Sequence, residues 1–540
     1  VSDITIVYAI LIAAVILFVS GKVPVGLVAI GVALALWATG ILELEQALGG
    51  FGDPTVLFIA ALFVVSEGLD ATGVTTWAGQ QLIDRAGTGR SRLVALTMGL
   101  VAVLTALISV NGAVAALLPV VVVMAVRLGR SPSQLLMPLV FGAHAGSMLA
   151  LTGTPVNVIV SDAAIAAGGD GFGFFEFGLA GLPLLLACIA VVVVLGPRLL
   201  PVRTPASMPP DLSAHGRTLA THYGLDAAPV VRAGAQTAAE EPRHLDVAAA
   251  YLGRDTGLME VVVPPRSALV GETAFPGMVT DSGDLVVLAV QRQGEDIGPR
   301  EVRLRPGDAL LLQGSWEAIG RHSGDDQVLV VDSPEIVRRQ AVPLGRGAGR
   351  AIVILGLMVL ALATGIVPSA VAGLLAAGAM VVFGVLTPEA SHRAISWTTV
   401  ILVAGMTPLS AAMTQTGAAD VIASGLVSVV GDLGPTALLA GLFIITAVFG
   451  QLISNMATAL IMIPIAISAS TELGVSIEPV LMSLTFAASA AYLTPIATPV
   501  NLMVMAPAGY RFTDYWKLGL PLLGVTFLVA VFLVPVIWPF

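Results

Sequence analysis

Long apolar runs separated by short polar interruptions dominate the chain. They fall at roughly 4–20, 23–42, 55–75, 135–160 and 178–197, and again at 351–366, 368–386, 397–415, 479–507 and 518–537. A helix needs about 20 residues to cross about 30 Å of hydrocarbon, so each run predicts a membrane-spanning segment. Between 204 and 345 the pattern breaks: that stretch holds 12 of the 25 Lys+Arg and 19 of the 35 Asp+Glu. It predicts a soluble insertion dividing the membrane part into a first half, 1–203, and a second half, 346–540. Within the insertion, 204–257 is rich in Ala, Pro and His and reads as linker or as a degenerate copy of the module that follows. Residues 258–313 alternate short apolar runs with Gly, Pro and Asp turns, which predicts a small β-rich module ending near 322. The opening VSDITIVYAILIAAVILFVS lacks a basic leader and a small-residue cleavage site, and reads as a first spanning helix.

The two halves repeat each other. Leu107-Ile108-Ser109 followed by Pro119 returns as Leu452-Ile453-Ser454 followed by Pro464, an offset of 345. Thr154-Pro155-Val156-Asn157 returns as Thr498-Pro499-Val500-Asn501, an offset of 344. Two separate matches in register within one residue indicate an internal duplication.

Basic residues near spans stay cytoplasmic, which gives the orientation. Arg85, Arg90 and Arg92 precede an apolar segment, 93–126, interrupted only at Ser109 to Gly112, and Arg127 and Arg130 follow it. Both of its ends lie inside. Its second leg, read as Ala113 to Val126, amounts to about 21 Å of helix, short of a full crossing, so 93–126 predicts a re-entrant hairpin, with two short full spans meeting outside as the alternative. No Lys or Arg occurs between Arg393 and Arg511. The matching hairpin, 434–470, therefore opens outside, and the halves are inverted relative to each other. Both termini are then outside, the insertion is cytoplasmic, and all 25 basic residues fall on the cytoplasmic side of a bacterial inner membrane.

Composition agrees and removes other classes. The 540 residues are 56% apolar and 11% charged, with mean hydropathy +0.94, outside the range of soluble proteins. A formal charge of −10 leaves no basic patch for nucleic acid, and the lysines, Lys22 and Lys517, belong to no phosphate-binding loop. One cysteine, Cys188, lies in an apolar run and reads as packing. A potassium channel would need a filter sequence that neither half contains, and an enzyme would need an acid, base, nucleophile or metal cluster. The polar centres of the spans offer Ser, Thr and Asn instead.

Polar residues and helix breakers at membrane depth are costly unless they line an enclosed site. Here they come as two matched pairs. Ser109-Val110-Asn111-Gly112 and Ser454-Asn455-Met456-Ala457-Thr458 each restart a helix, and helix starts attract anions. The Thr-Pro pairs interrupt the 135–160 and 479–507 runs, freeing carbonyls that can hold a cation. Glu67 and His144 are the other ionisable residues in these runs: Glu67 reads as a helix-end carboxylate, and His144 either as a proton carrier or as a packed neutral imidazole.

Gly153-Thr154-Pro155-Val156-Asn157, Ser454-Asn455-Met456-Ala457-Thr458 and the long run Leu493 to Gly519 resemble the divalent anion:sodium symporter family of the ion transporter superfamily. The resemblance covers nearly the whole chain. EVVVPPRSALVGET and RPGDALLLQG are similar to a TrkA-C (RCK-C) type domain, which points to the branch of the family carrying one. What this implies is a homodimer with elevator-type exchange, a small divalent anion as substrate, and Na+ as coupling ion. By motif, sodium would be held by Ser109, Asn111 and Gly153 at one site and by Asn455 and Ala497 at the other. The anion would contact Ser109, Asn111, Gly112, Thr154, Ser454, Asn455 and Thr498. Sulfate or a similar oxyanion leads, a dicarboxylate comes second and an arsenite-like efflux substrate third; the TrkA-C-like domain has room for a regulatory ligand that no residue identifies. Val110 stands where the family usually has Asn, and Met456 where dicarboxylate carriers often have Thr.

Overall fold

The computed structural model describes residues 2–75, 77–78, 81, 89–127, 130–203, 256–298, 300–322, 327–331, 344–345, 347–430 and 433–540. The linker or degenerate copy expected over 204–257 lies outside the described residues except for its last two positions. The chain forms two compact units: residues 1–70, 78–209 and 349–540 make one, and residues 71–77 and 210–348 the other.

The first half runs through α1 (Asp3–Ser20), α2 (Val25–Ala38), α3 (Leu44–Leu48), α4 (Pro54–Ala71), α5 (Arg90–Leu107), α6 (Val110–Arg127), α7 (Ser133–Gly146), α8 (Pro155–Ala166) and α9 (Phe177–Leu199). Helix ends fall where local chemistry puts them. Gly21, at φ +61°, takes the left-handed cap of α1, and Pro155 opens α8, where its missing N–H costs nothing. One boundary departs from expectation. The second hairpin leg starts at Val110, directly after the cap residue Ser109, and has 18 residues where 14 were read. Asn111 and Gly112 are therefore first-turn residues of α6, because the serine cap tolerates polar side chains in the turn that follows it. At about 27 Å of helix, length alone no longer argues for a re-entrant leg.

Next comes the insertion. Strands β1 (Thr256–Val262), β2 (Thr273–Ala274), β3 (Leu285–Arg292), β4 (Glu295–Asp296), β5 (Val302–Arg303) and β6 (Ala309–Ser315) are followed by helix α10 (Trp316–His322) and strand β7 (Leu329–Val330). An antiparallel sheet of order β4-β3-β6-β1-β7 forms, with Val261 opposite Leu310 and Val287 opposite Leu312, and β2 and β5 pair separately. Met259, Val261, Leu285, Leu310, Leu312 and Ile319 fill its core. Trp316 lies so close over Gly257 that a Cβ there would sit 2.6 Å from the indole. The β3–β4 turn uses Gln293 (φ +55°) and Gly294 (φ +83°), the left-handed pair that matches hairpin twist.

The second half contains α11 (Ala348–Thr364), α12 (Ser369–Val382), α13 (Pro388–Ala394), α14 (Trp397–Gln415), α15 (Ala418–Val430), α16 (Pro435–Leu452), α17 (Asn455–Leu473), α18 (Ile477–Ser489), α19 (Pro499–Ala508), α20 (Tyr515–Leu528) and α21 (Val534–Ile537), the last two joined by a π turn. Among the described residues, eight helical segments are long and apolar enough to cross a membrane, and the chain is a polytopic helical membrane protein.

Small residues bring the halves together. A Cβ on Gly405 of α14 would lie 2.7 Å from the Ala29 backbone of α2, and one on Gly373 of α12 would lie 2.5 Å from the Phe58 ring and 3.3 Å from the Ala61 methyl of α4. Ala29 and Gly373 are 344 positions apart, as are Ala61 and Gly405. The same glycine–alanine crossing is thus made twice, with glycine donated by the second half each time. Such close approach is what permits helix association where no hydrophobic force distinguishes protein from lipid.

Candidate functional site

The matched pattern extends to individual hydrogen bonds. At the first hairpin Ser109 Oγ accepts from Gly112 N at 3.2 Å and its carbonyl from Ala113 N at 3.0 Å. At the second, Ser454 Oγ accepts from Ala457 N at 3.3 Å and its carbonyl from Thr458 N at 3.0 Å. Each serine caps the helix that restarts behind it. The amides before the capped one have no carbonyl a turn behind them, so each tip keeps unpaired donors and the positive end of a helix dipole.

The interrupted spans match as closely. Thr154 (φ −151°, ψ 147°) and Thr498 (φ −145°, ψ 152°) are the extended residues that precede α8 and α19. Asn157 Nδ2 donates to the carbonyls of Ser147 and Ala150, both at 2.9 Å. Asn501 Nδ2 donates to those of Ala491 and Thr494, both at 2.8 Å. All three positions are 344 apart. The proline that starts each helix has no N–H for the preceding segment, and a fully buried asparagine from the first turn clasps two of its carbonyls. The last long helix of each half, α9 and α20, also approaches the break at glycine. A Cβ on Gly181 would lie 1.9 Å from the Met148 carbonyl, and one on Gly519 2.2 Å from that of Tyr492.

Hairpin and break are tied together within each half. Thr152 Oγ1 donates to the Ala106 carbonyl at 2.8 Å, and Thr494 Oγ1 to the carbonyl of the matched Gln451 at 3.2 Å. Gln451 adds two bonds of its own, donating to Ala490 O at 2.9 Å and accepting from Leu493 N at 3.0 Å. Between halves, α6 packs against α19 and α17 against α8, so each helix behind a tip lies beside the restarted helix of the other half.

The side chains at the two tips are not equivalent. Asn455 Oδ1 is buried without a donor, and the Thr458 hydroxyl is likewise buried and unpaired. A buried acceptor lacking a partner is costly unless something fills it, and an oxygen of this kind fits a dehydrated cation. At the first tip Val110 occupies the matched place, and Asn111 is exposed. Gly112 sits against Ser66 of α4, its absent Cβ leaving only 3.0 Å to Ser66 Oγ. Gly153 passes the Ser147 carbonyl, where a Cβ would be 2.3 Å from the oxygen, and Ala497 is buried.

A cavity of about 400 Å³ runs along the later turns of α8, from Ile159 to the cap residue Ala167, and the middle of α17, from Leu460 to Ile467. Its wall residues nearest the helix starts, Ile159 and Leu460, lie four and five positions into those helices, and Thr407 and Ser410 of α14 supply hydroxyls opposite. Toward α4, the Thr55 hydroxyl donates to the Asp162 carboxylate, and Asp53 accepts from Thr55 N at 2.8 Å. Sequence reasoning did not single out Asp162, Gln451 or the clasping role of Asn157 and Asn501. Only the two asparagines carried a signal, through their place in the duplicated motif.

His144 joins the site from α7. Its Nε2 lies 3.1 Å from Asn501 Oδ1 and 3.4 Å from Thr498 Oγ1, and its ring meets Tyr492 edge-on at 5.9 Å.

Helices broken at matched, protein-enclosed polar centres accord with the comparisons with known proteins, which make the chain a member of a family of membrane transporters. The chain belongs to the citrate transporter (CitMHS) family, whose profile matches residues 15–487 and 434–540. It is 32% identical to the uncharacterized transporter YfbS of Escherichia coli (strain K12), over 99% of both chains. It is 27% identical to sodium/sulfate cotransporter 1 of Chlamydomonas reinhardtii, over 51% of this chain and 32% of that one. Among solved structures, the YdaH transporter of Alcanivorax borkumensis is similar with a TM-score of 0.46 and 15% identity, covering 96% of this chain and 98% of that one.

Proposed function

We propose that this chain is a sodium-coupled transporter of a small divalent anion, with sulfate or a similar oxyanion as substrate, working by elevator-type alternating access in a homodimer. The observation that carries this reading is the double set of serine-capped helix starts and threonine-led breaks, each held open by its own clasp. With no Lys or Arg at the tips, a dianion is held by helix dipoles and by the hydroxyls of Ser109, Ser454, Thr154 and Thr498. Gly112 and the first-turn residues Asn111 and Asn455 complete the anion's surroundings. One sodium ion is assigned to Asn455 Oδ1 and the Ala497 backbone, and a second to Ser109, Asn111 and the Gly153 backbone. The buried, donorless Asn455 Oδ1 supports the first assignment. The sodium/sulfate cotransporter similarity supports both ion and anion.

In this reading the halves are inverted and the hairpins re-entrant. The cavity beside α8 and α17 is the outward vestibule, and the insertion is a cytoplasmic TrkA-C-type domain with an assembly role. A second reading, a carboxylate such as citrate as substrate, is favoured by the family description. Uptake of labelled sulfate, succinate and citrate into proteoliposomes, with and without an inward sodium gradient, separates them. Sodium-driven sulfate uptake competed poorly by citrate is expected; citrate uptake without sulfate uptake would move the assignment to the second reading.

A further inference from the structure

The clasp asparagines are matched at Nδ2 but not at Oδ1. Nδ2 of each donates to two carbonyls, which fixes each amide so that only Oδ1 remains to accept. Asn157 Oδ1 is buried with no donor, whereas Asn501 Oδ1 faces His144 Nε2 at 3.1 Å. The position matched to His144 is Ala488, so the first half has no imidazole to offer. The threonines differ in step. Thr154 Oγ1 accepts from Val156 N at 3.4 Å, but Thr498 makes no such cap, and its oxygen lies 3.4 Å from His144 Nε2.

These facts assign the imidazole's proton. An amide oxygen can only accept, so Nε2 carries the hydrogen, and Thr498 Oγ1, sharing that donor, keeps its own O–H free to donate elsewhere. Thr154, at the matched break, faces a backbone amide instead.

We infer that His144 is a positioning residue for the second break: its Nε2–H fixes the Asn501 clasp and turns the Thr498 hydroxyl toward the anion. The anion part of this inference rests on the proposed function; the clasp part does not. His144 is buried, with Thr498, Asn501 and the Tyr492 ring against it, so the donor is held without competition from water. Coupling between the halves follows, since α7 of the first half thereby sets the geometry of α19 in the second.

The test compares the full-length protein with His144→Ala, which removes the donor, and His144→Gln, whose amide N–H can replace it without titrating. Two readouts are used. Hydrogen exchange over 490–501 reports the clasp directly: it should rise about tenfold in the Ala variant and return to within about threefold of the parent in the Gln variant. Labelled sulfate uptake reports the hydroxyl. The half-saturating concentration should rise about tenfold with His144→Ala, recover with Gln, and be unchanged by His144→Ala in a Thr498→Val background. Unaltered exchange in the Ala variant, or equal loss in Ala and Gln, would overturn the inference. A clear exchange effect without any sulfate transport would sustain the clasp and reject the anion reading instead.

Discussion

Asn455 and Val110 occupy equivalent places, 345 positions apart, behind serine caps that are bonded alike. One offers a buried amide oxygen and the other only methyl groups. Because a dehydrated sodium ion needs several oxygens, the ion site at the second tip is expected to be the tighter one. Asn455→Ala should raise the sodium concentration for half-maximal transport more than Asn111→Ala, and Val110→Asn should lower it. Sodium titrations of purified variants in one lipid mixture check this; equal effects of the two alanine changes would reject the asymmetry. In the insertion, Asp308 is buried, and its carboxylate takes Arg292 through two bonds of 2.8 Å and Arg305 N at 2.8 Å. Burial alone pushes its pKa up, but Arg292 and the Arg305 amide outweigh burial and hold it below the ordinary carboxylate value. A folded pKa below the unfolded one means the group stabilises the module fully above about pH 4, and that this contribution is lost as pH falls through the folded value. Asp308→Asn should cost about 1–3 kcal/mol at neutral pH and less in acid. Hydrogen exchange of β3 and β6 in the whole protein at pH 7 and pH 3 measures both.

At the scale of elements, the breaks persist because three devices act on each: an extended threonine before proline, an asparagine clasp, and a glycine that lets the half's last long helix touch the bare carbonyl. The glycines are the most sensitive of these, since added atoms would meet backbone rather than a flexible side chain. Gly181→Leu and Gly519→Leu should each reduce folded yield, with overpacking of about 1–3 kcal/mol or more. Gly99→Leu and Gly524→Leu serve as controls, because nothing lies within 4 Å of a Cβ at either position. Size-exclusion profiles and melting curves of the four variants check the contrast; equal losses at all four positions would mean that helix propensity, not approach to the carbonyl, is what matters. The duplication made these breaks legible, because proline and a periodic apolar run are local signals. The glycine contacts were not legible: Gly181 and Gly519 are ordinary small residues until a carbonyl from another helix arrives.

For the whole molecule, the distribution of basic residues predicts residues 204–345 on the cytoplasmic side and the 167–176 loop outside. Single cysteines at Gly169 and Ser282, in a Cys188→Ser background, should be labelled by an impermeant maleimide from opposite sides of the membrane. Periplasmic labelling of Ser282 in intact cells would reverse the topology. The sequence by itself determined the apolar helical character of the chain, the charged stretch with alternating strands between the halves, and the pairing of the two halves, because each rests on periodicity or on identity at a fixed offset. Even the start of α6 was displaced by only a few residues, since a capping serine admits polar residues within the first turn. What only the tertiary structure decided is how the halves differ. Asn157 and Asn501 read alike in sequence, yet His144 serves one and leaves the other's oxygen bare. Gln451 reads as an isolated polar residue, yet it bonds the chain about 40 positions on. A hydrogen bond needs a partner in space, and a one-dimensional pattern records the donor without saying which acceptor the packing of other helices will bring to it.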